Sequence, residues 1–173
     1  LTKIFLKKDI RKIGSGNIGA TNALRTGNKS IGYATLILDI LKAATVVIFV
    51  KIYFVDYLYI ASLCVFLGHV FPIWLKFKGG KGVATYIGFL FGINPYISIS
   101  FFIVWLIIAA VTKYSSLSSL IAILVAPSYF LFINFNFYIG VFFIYLTIVI
   151  IIKHAENIKR LLNKTENKIK LSK

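Results

Sequence analysis

Long apolar stretches alternate with short polar, glycine-bearing ones along this chain. Ile31 to Val55 is long enough to cross a bilayer, which takes roughly 20 residues. Tyr57 to Leu75 forms a second span, closed by Pro72 and Trp74. Val83 to Val111 is too long for one pass, and Gly92-Ile93-Asn94-Pro95 at its middle is a turn signal. Leu117 to Ile133 spans next, Asn134-Phe135-Asn136 turns, and Phe137 to Ile152 spans back. Polar stretches lie at 7–30, 76–82 and 112–119, followed by a basic tail at 153–173 that opens as an amphipathic helix. The pattern predicts an all-α, polytopic membrane helix bundle with six spans, formed as a single domain over 1–173.

Charge decides the ambiguous stretch. If Val83 to Val111 makes two passes, the three polar stretches and the tail share one side. That side then holds all of the 20 Lys and Arg except Lys42 and Lys51. A single pass would split the basic residues between the two sides, against the positive-inside rule. Two passes are therefore expected, with all the polar stretches cytoplasmic.

Composition agrees. The 173 residues are 59% hydrophobic with mean hydropathy +0.87, more than a soluble domain of this size needs. The net charge of +15 suits anionic headgroups or an anionic substrate; on this apolar background nucleic acid is not expected. The one cysteine, Cys64, lies in an apolar run and supports no disulfide framework. Leu1 to Leu6 reads as the end of an apolar segment, so a preceding span is expected; no signal-peptide pattern is present.

Two glycine-rich stretches carry candidate chemistry. Gly14-Ser15-Gly16-Asn17-Ile18-Gly19-Ala20-Thr21-Asn22, with Arg25 beyond, allows close backbone approach. Ser15, Asn17, Thr21, Asn22 and Arg25 add donors for a ligand. The plainer alternative is a glycine-rich connector with helix-capping Ser and Asn. Gly79-Gly80-Lys81-Gly82, with Lys76 and Lys78, offers backbone N–H groups and fixed positive charge for a phosphate. Its alternative is a basic loop holding anionic lipid headgroups. It is not a P-loop, because Gly82 stands where Ser or Thr would follow the lysine.

His69 ends an apolar span and His154 opens the tail; a site shared by both is geometrically open. Neither begins a His-x4-Asp motif, since Trp74 and Lys159 lie five residues on, and no Gly-x-Ser-x-Gly occurs. A metal site is poorly supported by one cysteine and few carboxylates. Asp39 and Lys42 share a helix face within a span, as a structural pair or with Lys42 turned to a cytoplasmic cavity. In the tail, His154, Glu156, Asn157, Lys159 and Arg160 are candidates to line the site, whereas 164–173 reads as a basic interfacial segment.

Four segments together resemble the bacterial acyl-phosphate:glycerol-3-phosphate acyltransferases. They are GSGNIGATNALR at 14–25, GHVFPIWLKFKGGKGVAT at 68–85, KYSSLSS at 113–119 and HAENIKRLLNKTENK at 154–168, in the family's order. Leu38 to Ala43 is also similar, with Ala43 where the family often has Gly. The resemblance implies a seventh, N-terminal span and a cytoplasmic C-terminus in a bacterial inner-membrane protein. It implies acyl transfer from acyl phosphate to the 1-hydroxyl of glycerol 3-phosphate, giving lysophosphatidic acid and phosphate, without cofactor or metal. It implies coupling to an enzyme that produces acyl phosphate. By resemblance, Ser15 and Arg25 contact the substrates, Lys81 with Gly79, Gly80 and Gly82 forms the glycerol 3-phosphate loop, and Ser116 and Ser119 add phosphate donors. His69, His154 and Asn157 match positions near the reacting groups. An organic-anion transporter and an anionic-lipid-binding scaffold are the competing readings. Sparse midplane polarity weighs against the first, and the paired Gly-rich motifs against the second.

Overall fold

A computed structural model describes residues 5, 7, 9–12 and 16–169, all without strand. The chain falls into two compact units, Leu1–Ile93 and Asn94–Lys173.

In the first unit, α1 (Ala20–Leu24) leads to the long α2 (Lys29–Tyr53), whose start is capped by the Asn28 side chain accepting from Ile31 N–H. α3 (Leu58–Val70) is flanked by 3-10 turns at Val55–Tyr57 and Ile73–Leu75. Together they make a 21-residue apolar stretch, Val55–Leu75. α4 (Val83–Ile93) packs chiefly on α2. The α2–α4 contact is built from small residues: a Cβ at Gly88 would overlap the Ile40 carbonyl, and one at Gly92 would press on Val47. Ala43 and Ala44 are buried in α2. With lipid on the outside, such close backbone approach replaces hydrophobic collapse as the source of helix cohesion. Lys51 is explained by the same contact. Its ammonium donates to the Gly92 and Ile93 carbonyls at 3.2 and 2.9 Å, closing the C-terminus of α4.

α4 has 11 residues. At 1.5 Å per residue it is roughly 16 Å long, half the thickness of a bilayer core. It ends where expected: Asn94 caps the next helix by accepting from Tyr96 and Ile97 N–H, and Pro95 occupies its first turn.

The second unit contains α5 (Pro95–Thr112), α6 (Ser115–Ala122), α7 (Val125–Phe132), α8 (Phe137–Lys153) and α9 (Ala155–Leu162). α6 and α7 form one 18-residue apolar stretch, Ser115–Phe132, with a break at Ile123 and Leu124. The stretch 112–119 is therefore mostly helix rather than loop. Ser118 and Ser119 donate their hydroxyls to the carbonyls of Tyr114 and Ser115, so these polar residues satisfy themselves within the helix. α9 bends 62° away from α8 at His154. The tail after Leu162 is not helical but folds back, with Ile169 N–H donating to the Lys113 carbonyl at 2.7 Å.

Among the described residues, Val55–Leu75, Pro95–Thr112 and Ser115–Phe132 are long and apolar enough to cross a membrane; bent α8–α9 makes a fourth candidate. Their outer faces carry large exposed apolar side chains such as Ile60, Phe102, Ile107 and Phe132, as lipid contact requires.

Candidate active site

The first unit brings the glycine-lysine loop against the end of α3. The chain enters the loop through Lys76 and Phe77, both left-handed. Gly80 N–H donates to the His69 carbonyl at 3.2 Å. A Cβ at Gly79 would overlap that carbonyl and Pro72, and one at Gly80 would overlap the His69 ring. Gly82 has φ +87° and faces Phe66. The three glycines are thus demanded by packing, and the loop is braced rather than slack. Lys81 is half-buried within it, while Lys76 and Lys78 are exposed.

Beside the loop a polar cluster lines a cavity of the same unit. Lys42 Nζ lies 2.5 Å from Asp39 Oδ1 and 2.7 Å from His69 Nδ1. His69 Nδ1 is 3.7 Å from the same carboxylate oxygen, beyond hydrogen-bond range. Lys42 is thus paired with Asp39 and at the same time lines a cavity. That cavity, of about 530 Å³, has Asp39, Lys42, His69 and Thr35 among apolar walls that include Leu38, Val65 and Trp74.

Of the first glycine-rich stretch, Ser15 lies outside the described residues. Asn17 accepts from Gly19 N–H through its side chain at 3.2 Å. Asn22 is buried and donates its amide to the Ile10 and Asn17 carbonyls at 3.0 and 2.8 Å. Both amide hydrogens of Asn22 are spent on the frame of this segment, so it ties the stretch together rather than offering donors to a ligand. Thr21 is exposed, and Arg25 is half-exposed at the end of α1.

The second unit holds a separate cluster around Glu166, which is not among the site residues expected from sequence. Its carboxylate is 4% exposed. Oε1 accepts from Asn157 Nδ2 at 2.7 Å and from the Ser116 hydroxyl at 3.1 Å, and Oε2 accepts from Arg160 Nε at 2.7 Å. Burial pushes the Glu166 carboxyl up, but the three hydrogen bonds and the Arg160 charge outweigh it and hold the group below its ordinary value. Its available signals are its place in the 154–168 segment and its rarity, since Glu166 is one of just five acidic residues. Ser119 is otherwise engaged: it donates to Ser115 and accepts from Trp105 Nε1 at 3.1 Å, linking α5 to α6. His154 is 3% exposed at the α8–α9 bend and donates Nδ1–H to the Ile150 carbonyl at 2.8 Å.

An all-α architecture whose helices carry apolar outer faces, long enough in places to cross a bilayer, defines an integral membrane protein. The family model described as glycerol-3-phosphate acyltransferase matches residues 1–164, and the chain belongs to that family. The Pelagibacter ubique (strain HTCC1062) glycerol-3-phosphate acyltransferase is 61% identical over 171 residues, covering 99% of this chain and 88% of that protein. That of Sinorhizobium fredii (strain NBRC 101917 / NGR234) is 48% identical over 98% of this chain and 83% of its own length. The fold is similar to the crystal structure of PlsY (YgiH), an integral membrane glycerol 3-phosphate acyltransferase, in its glycerol 3-phosphate form. The TM-score is 0.89 at 36% identity over 97% of this chain and 87% of that one. The lysophosphatidic acid form matches at TM-score 0.83 and 37% identity, over 91% and 82%.

Proposed function

We propose that this acyltransferase moves a fatty acyl group from acyl phosphate to the 1-hydroxyl of glycerol 3-phosphate, at the cytoplasmic face of a bacterial inner membrane. The braced loop Gly79-Gly80-Lys81-Gly82 is the observation that carries the reading. Its backbone is held in one shape by His69 and Phe66, which suits a fixed phosphate, whereas a slack basic loop would suit any headgroup. The relatives' names and the solved forms of PlsY, with glycerol 3-phosphate and with lysophosphatidic acid, support the same acceptor and product.

Acyl phosphate is a mixed anhydride and already activated. The glycerol oxygen forms a bond to the acyl carbon, the bond from that carbon to the phosphate oxygen breaks, and the departing phosphate takes the hydroxyl proton. What the protein must supply is cationic and N–H contact that holds two phosphate-bearing substrates together. Lys81 with its glycines takes the glycerol 3-phosphate, and Ser15, Asn17, Thr21 and Arg25 serve the phosphates. His69, His154, Asn157 and Ser116 are assigned to the reaction on their family motifs. An enzyme that produces acyl phosphate is the functional partner. Purified protein given labelled glycerol 3-phosphate and palmitoyl phosphate is expected to yield labelled lysophosphatidate, and none with palmitoyl-CoA. A transporter or a lipid-binding scaffold would give no product with either donor.

A further inference from the structure

The cluster of Asp39, Lys42 and His69 lies beside the loop, and its hydrogen bonds leave His69 one arrangement. An ammonium can only donate, so His69 Nδ1, 2.7 Å from Lys42 Nζ, is the acceptor. A protonated ring would put two cations in that contact. With His69 neutral, the three groups carry no net charge, and Lys42, its side chain 42% exposed, opens onto the cavity while reaching both partners. With its lone pair spent at Nδ1, the ring carries its hydrogen on Nε2. That edge packs on Gly80, where a Cβ would overlap Nε2. The ring is thus gripped from both sides, by Lys42 at Nδ1 and by the loop at Nε2.

We propose that Lys42 is a positioning residue: it holds His69 as the Nε2–H tautomer and thereby sets the Gly79–Gly82 backbone for its anion. This rests on the reading of that loop as the glycerol 3-phosphate site. Asp39 completes the device, fixing the ammonium by a 2.5 Å contact one helical turn away. Lys42 touches no reacting atom and acts through the loop that His69 braces, so its removal should raise KM more than it lowers kcat.

The test uses the full chain in lipid nanodiscs. The sequence has two histidines, so ¹⁵N-histidine labelling gives two rings, and the His69 signals are those lost in His69→Gln. Resting protein is expected to show His69 with bare Nδ1 and protonated Nε2; a protonated Nδ1 would overturn the proposal. Asp39→Leu combined with Lys42→Met removes the donor without stranding a charge. This double variant is expected to mix the two tautomers and to raise the KM for glycerol 3-phosphate about tenfold, with kcat within about twofold, the scale of one lost charge-assisted hydrogen bond. Lys42→Arg keeps charge and donor and should retain the tautomer and most of the affinity. A wild-type KM in the double variant, or an equal fall in kcat, refutes the positioning role. Failure of the acyl-transfer reading is seen separately, as wild-type protein that makes no lysophosphatidate.

Discussion

Replacing Glu166 by Gln should be far more damaging than its place in a basic tail suggests. The carboxylate accepts three hydrogen bonds through two oxygens, and an amide cannot reproduce that. With its oxygen kept towards Asn157 and Ser116, its NH₂ would face Arg160 Nε–H, donor against donor. Turned over, it would face Asn157 Nδ2 instead. Either way one charge-assisted bond is lost and a buried donor is stranded. Breaking a buried pair costs ~3–5 kcal/mol. Arg160 is 27% exposed, so water recovers part of that, and about 3 kcal/mol is a fair figure. In a chain of this size each kcal/mol moves the midpoint by about 2–4 °C, giving a fall of about 6–12 °C. Trp105, in the same unit, reports the transition through its fluorescence in detergent. Acid provides a second reading. The native carboxyl sits below its ordinary value of 4.5, so the unfolded chain takes up the proton first as pH falls. The stability Glu166 supplies is complete above about pH 4.5 and is lost as pH drops through the native value. Glu166→Gln should lack that part of the acid sensitivity. A midpoint within about 2 °C of wild type at neutral pH would refute the reasoning.

Gly80→Ala places a Cβ into the His69 ring, so loop or ring must shift; the KM for glycerol 3-phosphate should rise tenfold or more, while thermal unfolding in detergent stays within a few degrees. Ser119→Ala takes the acceptor from Trp105 Nε1–H and should cost about 1–2 kcal/mol, read as a lower midpoint and a shifted Trp105 emission, with kcat unchanged.

Much of the fold was legible because its signals are local. The break after Ile93 was visible as Asn94-Pro95, since an amide cap and a pre-set φ start a helix wherever they fall. Ser115 to Ser119 misled for an equally local reason: serine reads as loop, yet these hydroxyls donate back one turn and cost the helix little. Asn22 reads as a ligand donor in the sequence because its partners, the Ile10 and Asn17 carbonyls, carry no side-chain signature. The loop at 76–82 was plain from its glycines, but the reason for each glycine lies on α3, at His69, Pro72 and Phe66. Glu166 escaped entirely, since Ser116 is 50 residues away and no periodicity links them. Local chemistry marks where a chain turns, and only tertiary contact tells which polar residue is consumed in holding the turn.

The two histidines make that distinction matter for mechanism, because they are wired in opposite senses. His154 donates Nδ1–H to a carbonyl, which can only accept, so the neutral ring keeps its lone pair on Nε2. His69 faces an ammonium through Nδ1 and carries its hydrogen on Nε2. At Nε2, then, His154 can accept a proton and His69 can only donate a hydrogen bond. A protein base, if the reaction used one, would have to be His154, and its loss would abolish the acidic limb of the kcat profile. On the proposed acyl-phosphate chemistry no such help is needed, because the departing phosphate is itself a competent acceptor for the hydroxyl proton. The acidic limb of kcat is therefore expected to survive both His154→Gln and His69→Gln, with kcat lowered in each. A limb that vanished with His154 alone would move the proton from the phosphate to that ring. One that vanished with His69 alone would contradict the tautomer that Lys42 enforces.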